Sequence, residues 1–247
     1  MGLTTRAIVL LFVGIWHLAS PVLAQEPAKV KTDAGVTKEQ ADAILAELRQ
    51  IRQLLEKQAA PSLPEKTQIN VGSGWQVIGR DDAPVTLIEF TDLQCHFCRQ
   101  FHAQTFPLIK KNYIDTGKVR FVSRDLPLTD MHLYALKAAE AARCAGDQGK
   151  FWEFRSAMLE SPFLNEDAVT SSAKTLALDA ASFRTCLDSE KYKGAVEADA
   201  KEANSLQIEG TPTFVLARSA KGTLDGVRME GAQSYPEFQR KIDELLE

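Results

Sequence analysis

The sequence predicts an α/β fold of the order β-α-β, a helical insertion, then β-β-α, with an amphipathic helix ahead of it. Three observations carry this expectation. "APVTLIEF", Ala83–Phe90, is a β-branched, apolar run of strand length, and the stretch from Cys95 to about Ile114 reads as a helix. "KVRFVSRDLPL" is a second strand ending at Pro127, so strand, helix and strand follow at the spacing of a βαβ unit with a parallel pair. Roughly 75 residues without a strand signal then pass before "TPTFVLA" begins.

The elements are justified in chain order. Arg6, the apolar run Ala7–Trp16 and "HLASPVLA" ending at Ala24 have the layout of an export signal, residues 1–24, cleaved before Gln25. His17, Ser20 and Pro21 interrupt the run before it reaches the about 20 apolar residues of a membrane helix. Thr37 with Gln40 forms a capping box for a helix that runs unbroken to Gln58. Ala41, Ile44, Leu48, Ile51 and Leu55 repeat at the 3, 4, 3, 4 spacing of a coiled-coil seam. Residues 25–60 are therefore expected to be a leader and an oligomerisation helix, with a homo-oligomer formed through residues 37–58. The competing reading packs the same stripe back on its own domain. Pro61 and Pro64 end this segment, and residues 61–81 form a linker with room for a first strand.

The main domain spans 82–247. Pro107 predicts a kink in the first helix, and the helical insertion occupies about 130–206. Within it, "HLYALKAAEAARCA" and "KFWEFRSAML" are followed by segments opening on the capping residues Asn165, Asp179 and Ser189. "TPTFVLA" and "LDGVRMEGA" then form two strands joined by a turn at Lys221–Gly222, and "SYPEFQRKIDELL" is the closing helix.

Of 247 residues, 29 are Lys or Arg and 33 are Asp or Glu, a net charge of −4 that becomes −5 once Arg6 is removed. That balance excludes the basic footprint of a nucleic-acid or anionic-membrane partner. Four cysteines are a modest number for an exported chain of this size, whose core does not need them as staples, so their arrangement has to account for them.

Cys95 and Cys98 enclose only His96 and Phe97, directly after the first strand. A zinc half-site would need two further ligands nearby, and a structural disulfide across so short a loop would stabilise little. Copper(I) held by the two thiolates remains an alternative, which would make the chain a copper-handling or thiol-protecting binding protein. Redox exchange is the leading reading. The strand delivers Cys95 to the first turn of a helix, where free N–H groups and the dipole favour an exposed thiolate. Cys98, one turn on, lies beneath it as the resolving thiol. His96 as an imidazolium would lower the Cys95 pKa further, or it is only a solvated first-turn residue. "EGTPTF" places Thr211-Pro212 at the start of a strand, with an exposed main-chain edge able to pair with a substrate peptide. Glu89, inside the apolar strand, is expected to be buried with a raised pKa, suited to exchanging a proton with Cys98. No cofactor and no metal ligands are assigned; His102 is expected only to pack, and His132 to open the insertion near the active face.

The motifs "EFTDLQCHFC", "RDLPL", His132, "AAEAARCAGDQGKFWE" and "EGTPTF", in that order across about 82–247, resemble the DsbA-like thiol-disulfide oxidoreductases of the bacterial periplasm. The resemblance implies a thioredoxin fold with a helical insertion, Cys95 as nucleophile, Cys98 as resolving thiol, Thr211 and Pro212 as a cis-proline loop, and Glu89 as the buried carboxyl. It implies a periplasmic protein disulfide oxidoreductase or isomerase whose substrates are unfolded or misoxidised secreted proteins, recycled by a membrane redox partner. The pair His96-Phe97 departs from the founding members' Pro-His, and Thr211 is closer to the isomerase members. The N-terminal helix is similar to the assembly segments of oligomeric isomerases and of suppressor-of-copper-sensitivity relatives. Cys144 and Cys186 lie in different insertion helices, and a disulfide between them would pin the insertion closed.

Overall fold

The computed structural model describes residues 37–58, 66–70, 72 and 74–247. The expected signal segment, the leader up to residue 36 and the linker residues 59–65 lie outside the described residues. The chain divides into two units, 1–59 and 60–247.

In the first unit, α1 spans Lys38–Gln58. Its capping box closes in both directions: Thr37 N donates to Gln40 Oε1 at 3.0 Å, and Gln40 N donates to Thr37 Oγ1 at 3.2 Å. Along the apolar stripe Ile44, Leu45, Leu48 and Ile51 are each about half exposed.

The second unit is built on a six-stranded sheet of order β1-β6-β5-β3-β4-β2. The strands are β1 (Lys66–Asn70), β2 (Gln76–Ile78), β3 (Val85–Thr91), β4 (Val119–Asp125), β5 (Thr213–Arg218) and β6 (Thr223–Glu230). Strands β3 and β4 pair in parallel, and every other pair is antiparallel. Because β3 is covered on both faces, all seven of its residues are buried, which is why it reads as an unbroken apolar run. The edge strands β1 and β2 carry only five and three residues, β1 is largely polar, and sequence reading allowed for at most one of them.

Between β3 and β4 the expected kinked helix is instead interrupted. It comprises α2 (His96–Gln104), α3 (Phe106–Ile109) and a π-helical turn at Lys110–Ile114. Pro107, at the second position of α3, has no N–H for the preceding turn, so the ladder resets at Thr105. Five helices separate β4 from β5: α4 (Ala135–Gly146), α5 (Phe151–Glu160), α6 (Glu166–Thr175), α7 (Ala180–Asp188) and α8 (Lys193–Ser205). Asn165 and Asp179 cap α6 and α7 by accepting from Ala168 N and Ser182 N. Ser189 does not open α8: its hydroxyl donates back to Cys186 O, and the helix starts four residues later without a side-chain cap. Helix α9 (Tyr235–Leu246) closes the chain.

Alternation along β3 divides the core. Val85 and Leu87 face Phe101, Ile109, Phe214 and Phe238, whereas Ile88 and Phe90 face Val122, Val215 and Ile208. A third cluster, Ala138, Phe154, Met158 and Phe183 among others, lies within the insertion and extends to Leu93, Cys95 and Cys98. The cysteine pair thus stands where the insertion core meets the end of the sheet. The insertion is fastened by the Cys144–Cys186 disulfide between α4 and α7. A buried ionic cluster adds to this: Arg124 and Arg143 share Asp199 at 2.7 and 2.6 Å, and Arg143 also reaches Asp125 at 2.6 Å. Among the described residues no helix is long and apolar enough to cross a membrane.

Candidate active site

The carboxyl end of β3 turns into α2 through Asp92–Gln94, and Asp92 fixes that turn. Its Oδ1 accepts from Gln94 N at 2.7 Å, and its Oδ2 accepts from Leu128 N at 2.8 Å. His132 Nδ1 also lies 2.8 Å from Oδ2, and Gln94 Oε1 accepts from Tyr134 N at 2.8 Å. The turn before Cys95 and the entry to the insertion are therefore one hydrogen-bonded piece. Sequence reading placed His132 near this face and overlooked Asp92, whose partner lies 40 residues away.

Cys95 is the N-cap of α2. Contrary to the expected exposed sulfur, the residue is only 6% exposed, because the insertion core closes around it. The thiol donates to Thr211 O at 3.3 Å, across the cis Thr211-Pro212 bond region that precedes β5. The Cys95 pKa is lowered to about 5, foremost by the Cys98 thiol, which donates to the thiolate. Burial opposes this, and the Thr211 hydroxyl and the N–H groups of Cys98 and Phe97 add to it. These N–H groups are the free donors of the helix start. The Thr211 hydroxyl is buried with no other partner, so it is available to the thiolate. His96 is exposed, its ring edge-on to Phe97 at 5.6 Å, and it is not among the leading influences on the sulfur.

Cys98 is completely buried, and its pKa is pushed well up by burial, by donation to Cys95 and by the charge of Glu89. The two thiols thus separate into an acidic one at the helix start and a protonated one beneath it. Both are free in this structure.

Glu89 is buried as expected, but its pKa shifts the other way. Burial pushes it up; the charge His102 carries when protonated, the Arg155 guanidinium, the His102 hydrogen bond and the nearby Thr91 hydroxyl outweigh burial and hold it below the ordinary carboxylate range. Arg155 Nη2 donates to Glu89 Oε2 at 2.5 Å, and Nε donates to Ser123 Oγ at 3.0 Å. His102 does more than pack. Its Nε2 lies 3.0 Å from Glu89 Oε2 and its Nδ1 3.3 Å from Arg155 Nη1. With Nε2 protonated the ring donates to the carboxylate and accepts from Arg155 Nη1 on Nδ1, while Arg155 Nη2 lies 2.8 Å from Nε2. Burial and then Arg155 hold the His102 pKa down at about 4, so at neutral pH the lasting cation of the group is Arg155. Arg155 comes from α5, 66 residues from Glu89, and no local pattern announces it. An open groove of about 840 Å³ between α2–α3 and α5 runs from His96 past Arg99 to His102 and Lys110.

The model of the Thioredoxin family matches residues 73–244. The Na(+)/H(+) antiporter NhaA 3 of Salinispora tropica is 38% identical over 139 residues, 56% of this chain but 21% of that protein. The chain thus spans about a fifth of the length of that antiporter and of its Salinispora arenicola counterpart. Disulfide bond formation protein D of Bacillus subtilis is 32% identical over 150 residues, covering 57% of this chain and 67% of that one. Among solved structures, alpha-DsbA1 of Wolbachia pipientis has a TM-score of 0.62 at 27% identity, over 71% of this chain and 92% of the other. Oxidised BdbD of Bacillus subtilis has a TM-score of 0.61 at 25% identity, over 73% and 97%. With the family matched over most of the second unit and these relatives aligned across it, the chain belongs to the thioredoxin family and is similar to its DsbA-like members.

Proposed function

We propose that this chain is exported, loses residues 1–24, and exchanges disulfides with secreted proteins through Cys95 and Cys98. The observation that carries the reading is the split between the two thiols, with Cys95 lowered to about 5 and Cys98 well above its ordinary value. In the oxidising direction a substrate thiolate attacks Cys95 of the disulfide, and Cys98 leaves. A second substrate thiolate then attacks the mixed disulfide, and Cys95 leaves as a stabilised thiolate. Because the reduced form is the one so stabilised, donation of disulfides is the favoured direction, with a membrane redox partner returning the pair to the oxidised state. Phe97, Met131 and Leu133, all exposed on the segments tied together by Asp92 and Gln94, offer apolar contacts to unfolded substrates.

The exposed stripe of α1 favours a second reading, in which self-association through residues 37–58 pairs two or more redox sites in an isomerase. One assay separates these readings. The oxidised chain from Gln25 is expected to oxidise a reduced multi-cysteine substrate faster than glutathione disulfide alone, and Cys95→Ser to lose that gain. Recovery of a scrambled substrate by this chain, but not by one starting at Pro61, supports the isomerase. Tight copper(I) binding without exchange would overturn both in favour of a binding protein.

A further inference from the structure

Beneath the cysteines, β3 and α2 run in opposite directions with matching steps. Two residues along a strand return to the same face about 6.6 Å away, and four residues along a helix return to the same side about 6 Å away. Glu89 and Thr91 make such a step on β3, and His102 and Cys98 make one on α2. With His102 Nε2 at 3.0 Å from Glu89 Oε2, the matching step sets Thr91 opposite Cys98. Thr91 is 2% exposed, and its hydroxyl oxygen completes no hydrogen bond in this structure. Valine would fill the same space in this central strand without leaving a buried hydroxyl unbonded. The hydroxyl also acts on both neighbours, lowering the pKa of Glu89 on one side and of Cys98 on the other.

Resting on the exchange chemistry of Cys95 and Cys98, we propose that Thr91 is a relay hydroxyl that carries the proton between buried Cys98 and Glu89. When a mixed disulfide stands on Cys95, the Thr91 oxygen takes the Cys98 proton as its own hydrogen passes to a Glu89 carboxylate oxygen. The Cys98 thiolate attacks Cys95 Sγ, the bond from Cys95 to the substrate sulfur breaks, and the electron pair leaves with that sulfur, which is protonated by solvent. Glu89 releases its proton to water in the groove that His102 lines. Reversal serves the opening of the Cys95–Cys98 disulfide, with Glu89 returning a proton to the departing Cys98. The charged and titratable groups around the relay are Cys95, Cys98 and His102 of α2, Glu89 of β3 and Arg155 of α5. Arg155 is a positioning residue that keeps Glu89 ionised and able to accept.

The test is stopped-flow reaction of the reduced full chain with 5,5′-dithiobis(2-nitrobenzoate), which releases one thionitrobenzoate when Cys95 attacks and a second when Cys98 resolves the adduct. Thr91→Val is expected to leave the first phase within about twofold and to slow the second about tenfold or more at pH 7, with recovery as pH rises. Thr91→Ser, which keeps the hydroxyl, is expected to stay close to the unmodified chain. An unchanged second phase in Thr91→Val overturns the relay, as does equal slowing in both variants, which would assign the effect to packing. Absence of any second phase in the unmodified chain overturns the exchange reading itself and the relay with it.

Discussion

Two buried ionic clusters join the helical insertion to the sheet, and they are balanced differently. At the end of β4, Arg124 and Arg143 distribute themselves over Asp125, Asp199 and Glu202, and Asp199 accepts from both guanidinium groups and from Asp125 N. Burial raises Asp125 even against Arg143, and the cluster touches neither free thiol in any hydrogen bond. Beneath Cys98, a single carboxylate faces one guanidinium and one neutral imidazole, with an unbonded hydroxyl two residues along the strand. The first arrangement pairs every one of its carboxylates with a guanidinium, leaves Arg124 Nη1 without a hydrogen-bond partner, and fixes where α4 and α8 lie. The second keeps acceptor capacity next to a thiol. Buried charge of similar cost therefore serves attachment in one place and proton traffic in the other.

Breaking the first cluster should have the larger effect on stability. Arg143→Met leaves Asp125 without its guanidinium and is expected to lower the unfolding free energy by about 4 kcal/mol in urea titration. The exchange rate of the folded fraction should stay unchanged; a proportionate loss of exchange rate would show that the two clusters are not separate in role. Next in size, Arg155→Met should destabilise by about 3 kcal/mol. It should also let burial raise the Glu89 pKa, so that resolution by Cys98 slows at neutral pH and recovers in alkali. A flat pH dependence would mean that Arg155 only packs.

The smallest effect concerns His102. Its folded pKa of about 4 lies below the ordinary 6.5, so its contribution is complete above pH 6.5 and is lost as pH falls through about 4. Stability of the unmodified chain should decline across that window. His102→Phe should lower stability at pH 7 by about 1–2 kcal/mol, through the lost hydrogen bond to Glu89, and should flatten the decline. Equal slopes in the two proteins would assign the acid sensitivity elsewhere.

Much of the frame was legible because it is local. β3 and β4 announce themselves as apolar β-branched runs, the Cys95–Cys98 spacing fixes which sulfur caps α2, and Asn165 and Asp179 mark helix starts. What escaped is long-range or faint. Arg155 and Asp92 act on partners 66 and 36 to 40 residues away, and β2 is three residues long. Glu89 was legible as a buried carboxyl, but the sign of its shift was not, since that depends on the cation supplied by α5. His102 falls on the same helix face as Cys98, yet its role follows only from the strand that it meets.

The decisive measurement is the rate of alkylation of the reduced chain by iodoacetamide from pH 3 to 10, with the modified cysteine located by mass spectrometry. Modification is expected at Cys95, with a midpoint near pH 5, while Cys98 stays unmodified through neutral pH. A midpoint near the ordinary thiol value of 9, or equal labelling of both cysteines, would contradict the division of the pair into an acidic nucleophile and a buried resolving thiol.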